Sequence, residues 1–447
     1  MNVKLTSVAL AALVLFSSVG PAPAATLNGS DIGVILEQRV AQEPGVGMIV
    51  ATLDHGTLSY TSHGPVDDHA IFQIGSVTKT FTATILADMV LKGEVSLGDP
   101  IEKYLPSGTR APVVAGHHIT LGDLATQSSG LPVVAPNIPI KNYADPYNGT
   151  TPEELFAGLG AVTLDRAIGS KFEYSNYGIA VFGQLLARRA GVSYARLLQD
   201  RILTPLAMHE TSLQIRSDVP NRFAPGHNAD FEPQIPWSLG AYEPAGGISS
   251  SASDMVKFLR LNLGVGPAAL VAAAKLAQKK TSAPVTESGA SIGLVWQTGQ
   301  TAGNTYHNGA TGGYRAFIGM NADRTQGDVV LTNSFLDVDD IGFHLLSPSF
   351  ALFPNRFPPV VPVATATLGS YVGSYTLAPA VILTVTTVDG KLYAQLTGQT
   401  RARLFPKSAT DFYYRIVDAQ ITFTSSNGHV SGLVLHQNGR DVPAPRS

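Results

Sequence analysis

The sequence predicts an α/β protein of the α+β sandwich type, followed by a small antiparallel β-domain. β-rich segments lie near both ends of the first 350 residues, at 46–61 and 292–332, with helical patterns between them. After a proline-rich stretch, the chain changes to short alternating runs separated by Asx-Gly pairs. This order indicates one antiparallel sheet closed by distant segments, with a helical subdomain inserted.

The composition is that of a globular protein of two or three domains. The 447 residues carry a formal net charge of −3, with 44% hydrophobic residues, 14% charged residues and no cysteine. This small net charge does not indicate nucleic-acid binding, and the lack of cysteine excludes disulfides and cysteine nucleophiles. Neither a zinc-binding His spacing nor a Gly-rich phosphate loop occurs in the sequence. We therefore expect no metal, no other cofactor and no nucleic-acid partner.

The N-terminus resembles an export signal. Residues 1–24 contain Lys4, an apolar run at 8–19 and a small-x-small site at 22–24. The apolar run is short for a membrane span, although an N-terminal anchor helix is the alternative interpretation. We predict that residues 1–24 are a signal peptide. The mature chain is then periplasmic or secreted, without a stable membrane anchor.

The predicted elements of the first domain, residues 25–356, follow in order. A hairpin covers 46–61, and a helix begins at Ser76 with Val77 and Phe81 on an apolar face that continues through Ile85 and Met89. Further helices are predicted at 120–126, 177–190, 194–202 and 253–263, and strands at 292–298, 314–320 and 328–332.

The C-terminal part is predicted to be a separate β-domain. Residues 357–367 form a proline-rich linker, and 368–447 form the domain, which we expect to be a small barrel. The expected strands are 368–377, 381–388, 391–396, 411–417, 420–424 and 430–436. This domain shows no catalytic constellation and is interpreted as a structural appendage, with a lid or a partner surface as alternatives.

The first candidate motif is Ser76-x-x-Lys79 at the start of the first long helix. Residues three apart lie on one helical face, so the hydroxyl and the amine should be neighbours facing a cleft lined by small residues such as Ala83. A serine becomes a nucleophile when a base takes its proton, and a desolvated lysine can serve as that base. A capping serine beside a solvated lysine is the alternative.

The second candidate is Tyr174-Ser175-Asn176. A phenol beside a cationic lysine can be held near the phenolate form and move protons, and the Asn176 amide can donate to a substrate carbonyl. The Y-x-N pattern is common and recurs at 306–308. A helix cap with a core tyrosine is therefore an alternative for the first occurrence.

The third candidate is His307-Asn308-Gly309-Ala310, before the predicted strand at 314–320. Gly309 allows close approach of a substrate backbone, and the N–H groups of Ala310 and Ser76 could form an oxyanion hole. A glycine-rich turn between strands is the alternative.

Three weaker signals are interpreted as structural. Residues 289–293 match G-x-S-x-G, but an apolar β-rich run follows Ser291 where a nucleophile elbow needs a helix. Glu153 and Glu154 are expected in the first turn of a helix, and His117 and His118 in a solvated strand.

Together the three motifs resemble the serine β-lactamase and penicillin-binding protein superfamily, in particular its class C β-lactamase-like branch. That branch includes D-Ala-D-Ala carboxypeptidases, D-aminopeptidases and family VIII carboxylesterases. The resemblance covers residues 30–350, and the tail is similar to the lipocalin-like barrel of some members. It implies a β-lactamase/transpeptidase-like fold with Ser76 as acylated nucleophile, Lys79 as its proton-transfer partner and Tyr174 as general base or acid. Substrate contacts would come from Asn176, His307, Asn308 and Gly309.

One departure from the family pattern affects the expected substrate. Efficient β-lactamases usually carry Lys-Thr-Gly in the third motif, and here His307 replaces the lysine and Asn308 the threonine. A neutral imidazole is a weaker site for a substrate carboxylate, and Arg315 is a candidate for the missing positive charge. We expect an exported serine hydrolase acting through an acyl-enzyme on β-lactam, peptidoglycan-like or D-Ala-D-Ala-type amides. A carboxylesterase for short acyl esters and a slowly deacylating penicillin- or peptidoglycan-binding module are the alternatives.

Overall fold

The protein is described from a computed structural model. The structure describes residues 32–40, 45–142, 144–213, 222–300, 302–352, 358–379, 381–399, 401–437 and 439–447. The predicted signal peptide at 1–24 lies outside these ranges. The chain divides into two compact units, with the boundary between Leu352 and Phe353.

The first unit is organised around a seven-stranded sheet with the order β2-β1-β13-β12-β11-β10-β9. Its strands are β1 (Met48–Asp54), β2 (Thr57–His63), β9 (Ser291–Ile292), β10 (Gln297–Thr298), β11 (Thr305–Ala310), β12 (Arg315–Met320) and β13 (Gln326–Thr332). All the pairings are antiparallel. Short two-stranded pieces join β3 (Ile71–Gln73) to β8 (Ser249–Ser251), β4 (Val113–Val114) to β5 (His117–His118), and β6 (Gly226–His227) to β7 (Pro233–Gln234).

The centre of the sheet joins segments that are almost 300 residues apart. β1 pairs with β13 from Met48 opposite Thr332 to Asp54 opposite Gln326. Both strands are rich in β-branched and aliphatic residues that are buried, so this pairing carries much of the core. The prediction of one sheet closed by distant segments around a helical insertion is confirmed.

Helices cover the sheet and form the inserted subdomain. They are α1 (Ile32–Val40), α2 (Thr78–Leu91), α3 (Leu121–Ala125), α4 (Pro152–Leu159), α5 (Asn176–Ala190), α6 (Tyr194–Leu198), α7 (Glu243–Gly246), α8 (Ala252–Asn262), α9 (Ala268–Gln278) and α10 (Asp339–Leu346). Local sequence explains several ends: Thr120 and Thr151 form capping boxes, and Gly191 ends α5 with a left-handed φ of 70°. The first-turn position predicted for Glu153 and Glu154 is therefore observed, and the helix predicted at 120–126 begins with the cap at Thr120.

The first long helix differs from the prediction of one buried and one cleft-facing side. A 3₁₀ turn at Gly75–Val77 precedes α2, and every residue of α2 from Thr78 to Met89 is buried. The pattern on one face was real, but packing against α7 and α9 covers the other faces as well. Lys79 is consequently a core residue.

Two strand assignments are corrected by the structure. The predicted strand at 292–298 consists of two short strands, β9 and β10, separated by a bend in which Val295 has φ of 70°. Residues 305–310, which the residue pattern did not predict as a strand and for which a glycine-rich turn was the alternative, are the strand β11. Its Asn and Gly content has low β propensity, and pairing with β12 overrides that propensity.

The second unit is an antiparallel barrel of eight strands in sequential order. They are β14 (Gly373–Ala378), β15 (Val381–Val388), β16 (Lys391–Leu396), β17 (Ala402–Pro406), β18 (Asp411–Tyr413), β19 (Ala419–Ser426), β20 (His429–Gln437) and β21 (Arg440–Pro445). Tyr375 bridges Arg446, which brings the first strand next to the chain end and nearly closes the barrel. The predicted small barrel is confirmed, except that the expected strand at 368–377 begins with helix α11 (Thr365–Ser370).

Candidate active site

Ser76 and Lys79 meet at the entry to α2. The Lys79 side-chain nitrogen (Nζ) lies 2.8 Å from Ser76 Oγ and 2.5 Å from the backbone oxygen of Ala245 in α7. The Lys79 side chain is fully buried, and this desolvation holds its pKa well below the ordinary value. Burial therefore favours the free-base form of the amine that lies beside the serine oxygen.

Tyr174 approaches the same serine oxygen from the opposite end of the site. Its phenol donates to Ser76 Oγ at 2.5 Å, and Lys79 Nζ lies 5.0 Å from the centre of its ring. Burial raises the pKa of Tyr174, so the group is a neutral phenol in the free protein. The expectation of a near-phenolate beside a cationic lysine is therefore wrong, because burial disfavours both charges.

Gln127 holds the segment that carries Tyr174. Its backbone oxygen accepts from Glu173 N–H at 2.7 Å, and its side-chain oxygen accepts from Ser175 N–H at 2.8 Å. Gln127 has a left-handed φ of 57°, which lets its main chain and its side chain bond the two neighbours of Tyr174. Ser175 is also the N-cap of α5 and accepts from Gly178 N–H at 2.7 Å. The cap proposed as the alternative is therefore present beside the Tyr174 contact.

Asn176 begins α5, and its side chain lies next to the Tyr147 phenol. Tyr147 packs on the ring of Tyr242, with centroids 4.5 Å apart, and contacts Trp237 edge-on at 5.9 Å. Gln73 holds Trp237 through both its backbone N–H and its carbonyl group, at 3.0 and 2.7 Å. An aromatic wall consisting of Tyr147, Trp237 and Tyr242 thus lies beside Asn176.

The strand β11 is pressed against the turn that carries Ser76. A Cβ atom added to Gly309 would lie 2.0 Å from the Ile74 oxygen and 2.9 Å from Ser76 N. One added to Gly75, where φ is 50°, would lie 2.6 Å from both N and O of Ala310. Only glycine fits at these two positions, and their contact brings the backbone of Ala310 next to that of Ser76.

His307 lies on the face of β11 toward Lys79. It is 2% exposed, and its Nδ1 lies 2.7 Å from the Asn308 backbone oxygen. Burial and the nearby Lys79 lower the pKa of His307 to about 3, so its imidazole is neutral. No positive charge therefore comes from this position near neutral pH.

Asn308 is turned to the other face of β11, where α10 begins. Its side-chain amide donates to Asp339 Oδ2 at 2.5 Å. Arg315, the candidate replacement cation, stacks over Phe335 at 4.2 Å and interacts electrostatically with Asp339. The structure thus brings Ser76, Lys79, Tyr174, His307, Gly309 and Ala310 together, whereas the side chain of Asn308 contacts Asp339.

Several residues of the site escaped prediction from sequence. Gln127 is one of them, because its two bonds depend on a backbone angle that sequence does not show. Ala245, Tyr147 and Asp339 contribute through contacts between distant elements. No local pattern marks these three.

The competing signals occupy structural positions. Ser291 opens the short strand β9, and His117 and His118 form the exposed strand β5. Within the ranges that the structure describes, no group of three or more His, Asp or Glu side chains is arranged to hold a metal ion. In the same ranges, no helix has the length and apolar character needed to cross a membrane.

Comparison with known proteins identifies the first unit. The model of the β-lactamase family matches residues 35–344, which is more than half of the chain. The chain belongs to the β-lactamase family. Residues 358–443 match a domain of unknown function, DUF3471, which coincides with the barrel.

Curated relatives include penicillin-binding, carboxypeptidase and β-lactamase proteins. The chain is 24% identical over 430 residues to penicillin-binding protein 4* of Bacillus subtilis. The alignment covers 88% of this chain and 91% of the relative. The chain is 28% identical to a D-alanyl-D-alanine-carboxypeptidase/endopeptidase, AmpH, of Escherichia coli, over 48% of this chain and 56% of that protein. The chain spans about 60% of the length of a β-lactamase from Providencia stuartii, at 26% identity.

Solved structures share the fold. A class C β-lactamase in complex with cefoxitin superimposes with a TM-score of 0.61 at 23% identity, covering 70% of this chain and 96% of that one. A β-lactamase/D-alanine carboxypeptidase from Yersinia pestis gives a TM-score of 0.58 at 25% identity, covering 67% and 93%. The resemblance to the serine β-lactamase and penicillin-binding protein superfamily is confirmed, and the relatives support a serine hydrolase of this family.

Proposed function

We propose that this β-lactamase family member hydrolyses carbonyl substrates through an acyl-enzyme formed on Ser76. One observation carries the proposal: Ser76 Oγ lies within hydrogen-bonding distance of both the buried Lys79 amine and the Tyr174 phenol. A nucleophile needs a base within this reach, and a neutral amine with a lowered pKa can accept the serine proton.

Acylation then proceeds with a balanced proton transfer. Ser76 Oγ attacks the substrate carbonyl carbon while its proton passes to Lys79 Nζ, which is oriented by the Ala245 oxygen. The negative charge on the former carbonyl oxygen is stabilised by the N–H groups of Ser76 and Ala310, which the contact of Gly75 with Ala310 places side by side. When the tetrahedral intermediate breaks down, Tyr174 gives its proton to the leaving group and regains one from Lys79.

Deacylation follows the same path in reverse, with water in place of the leaving group. Tyr174 takes the proton of the attacking water and passes its own proton to Lys79. Ser76 Oγ then leaves and is reprotonated by Lys79. Asn176, which lies next to Tyr147, and the edge of β11 position the acyl group. His307 and Gly309 complete the wall opposite α5.

Two substrate classes are supported by different observations. The relatives named as carboxypeptidase and penicillin-binding protein favour amides of the D-Ala-D-Ala or β-lactam type. The neutral His307 and the Asn308–Asp339 pair favour short acyl esters, because no cation is offered to a substrate carboxylate there.

The primary experiment detects the covalent intermediate. Purified protein is mixed with p-nitrophenyl butyrate, a chromogenic cephalosporin or a fluorescent penicillin, and intact-mass spectra are recorded over time. We expect a single acyl adduct on Ser76 and its absence in Ser76→Ala. The variant Ser291→Ala is the matched control and should behave like wild type. A stable adduct without turnover would instead indicate a binding module, and no adduct with any compound would refute the proposal.

The role of Tyr174 is tested separately. Tyr174→Phe keeps the ring in place and removes the proton donor, so turnover should fall by about 10²–10⁴-fold. Tyr60→Phe, at an exposed phenol on β2, is the control and should leave the rate unchanged. Equal rates for the two variants would exclude Tyr174 from proton transfer.

We also propose that the mature protein is exported, from the signal-like pattern at 1–24. The N-terminal sequence of protein recovered from the extracytoplasmic fraction should begin just after residue 24. Recovery of uncleaved protein from the cytoplasm would contradict export.

A further inference from the structure

The edge of β11 next to Ser76 is open to an extended ligand. β12 pairs with β11 over its whole length, whereas β10 pairs only with Thr305 and Tyr306. Thr311 N–H donates to the Tyr314 oxygen across the hairpin. Successive residues of an antiparallel strand point their backbone groups alternately toward and away from the partner strand, so those of Asn308 and Ala310 point away from β12, to the open side. A substrate that places its carbonyl at Ala310 can therefore extend along this edge toward Asn308.

The groups at the Asn308 end of the edge are neutral or acidic. On one face the His307 imidazole is buried and its Nδ1 lies against the Asn308 oxygen. On the other face the Asn308 amide is committed to the carboxyl group of Asp339. Burial, together with the neighbouring Asp337 carboxyl, raises the pKa of Asp339 to about 7, so near neutral pH this group is divided between its neutral and its negative form.

The cations of this region are engaged by other groups. Arg315 lies over the Phe335 ring and is attracted to Asp339, and Arg39 forms an ion pair with Asp340. Lys79, which completes the cations found near the site within the described part of the chain, is buried against Ser76 and Ala245. A carboxylate placed beside Asn308 would therefore lose its water without gaining a cationic partner, and it would face Asp339.

We propose that this hydrolase selects acyl donors whose leaving group carries no carboxylate, and that Asp339, acting with Asn308, is the residue that sets this preference. The inference rests on the proposed acyl transfer at Ser76 and chooses between its two substrate classes. It assigns neutral esters and amides to this cleft and excludes peptides that end in a free carboxylate as its best substrates.

The test uses two thioesters that differ only in the charge of the leaving group. Both carry an N-acetyl-D-alanyl group; one releases mercaptoacetate and the other mercaptoacetamide. The protein contains no cysteine, so the released thiol is measured with a disulfide reagent without background from the enzyme. We expect kcat/KM to be roughly tenfold or more higher for the carboxamide than for the carboxylate.

Variants identify the residue responsible. Asp339→Asn should reduce the ratio between the two substrates several-fold, by raising the rate with the carboxylate. His307→Lys, which adds a cation, should shift the ratio in the same direction. Asp200→Asn removes a carboxylate from an exposed ion pair with Arg196 and should leave the ratio at its wild-type value. Because a ratio is measured, partial unfolding of a variant does not affect the conclusion.

The outcomes separate this inference from the proposed function. If wild-type protein prefers the carboxylate, or treats both substrates equally, the inference fails while acyl transfer stands. An unchanged ratio in Asp339→Asn would remove Asp339 as the determinant. If neither thioester is cleaved and no adduct forms on Ser76, the proposed function fails, and the inference fails with it.

Discussion

The side-chain nitrogen of Lys79 lies 2.5 Å from the backbone oxygen of Ala245, 166 residues further along the chain. This contact anchors an amine that is otherwise surrounded by the core, and it directs the amine toward Ser76 Oγ. The buried position lowers the pKa of Lys79, so the lysine can act as a base near neutral pH.

The first prediction concerns the pH dependence that Lys79 gives to the rate. Because its pKa is lowered in the fold, the amine stays free at pH values well below the ordinary lysine pKa and becomes protonated as the pH falls through the lowered pKa. The rate of acylation should therefore decrease toward acid and reach its plateau well below the ordinary lysine pKa of 10.5. A stopped-flow pH profile of adduct formation measures this limb.

Lys79→Met should reduce acylation by about 10²–10⁴-fold and abolish the acidic limb. Lys103→Met, which removes an exposed lysine paired with Asp99, is the control. A profile in Lys79→Met with the wild-type limb intact would assign the titration to another group.

The second prediction concerns Gln127, a positioning residue for Tyr174. Gln127→Ala removes the bond to Ser175 N–H, so the phenol should shift from its place beside Ser76. We expect kcat to fall by about 10- to 100-fold with little change in KM. Steady-state kinetics with a chromogenic ester measures kcat and KM separately.

Gln127→Glu retains an acceptor oxygen and should recover part of the lost rate. Gln184→Ala removes a comparable bond from a side chain to the backbone oxygen of Ala241, and serves as the control for general loss of stability. A matching fall in kcat for Gln184→Ala would indicate that Gln127 acts only through stability.

The third prediction concerns Gly75. Its φ of 50° and the 2.6 Å approach of an added Cβ to Ala310 mean that Gly75→Ala must separate β11 from the Ser76 turn. The proposed oxyanion hole would lose one donor, with an expected loss of about 10²–10³-fold in kcat.

Gly93→Ala is a matched control for Gly75→Ala. Gly93 follows α2 with φ of 69°, and an added Cβ would meet nothing within 4 Å. The variant Gly93→Ala should therefore introduce backbone strain without a loss of activity. Comparable activity in the two variants would argue against Ala310 as a donor.

The fourth prediction concerns stability and Asp328, a buried carboxyl in β13. Burial raises the pKa of Asp328 from its ordinary 3.8 to about 7, so the folded protein holds this group neutral. The unfolded chain loses the proton near pH 4 and the folded chain near pH 7. Stability is therefore lost as the pH rises from 4 to 7, by roughly 4 kcal/mol for a shift of this size.

Asp328→Asn should flatten this dependence and stabilise the first unit above about pH 7. Thermal unfolding of both proteins at about pH 4.5 and about pH 8 measures the effect. Asp200→Asn changes an exposed carboxyl that is paired with Arg196 and should retain the wild-type dependence. A steep decline that persists in Asp328→Asn would locate its origin elsewhere.

Local sequence patterns were sufficient for much of the fold. Capping residues at Thr120 and Thr151 and the glycine at 191 mark helix ends through bonds within a few residues, and Asx-Gly pairs mark barrel turns such as Asp389-Gly390. The strand at 305–310 was missed because its Asn and Gly are poor strand formers, and only pairing with β12 makes it a strand.

By itself, the sequence determined the residue types and the spacing of the candidate site. Ser76 and Lys79 are one helical turn apart, so their proximity follows from helix geometry alone. Tertiary structure decided the charges: full burial disfavours the positive charge on Lys79, and Tyr174 remains a phenol. It also placed Asp339 against Asn308. Desolvation and contacts between distant segments exist only after packing, and a linear pattern carries neither of them.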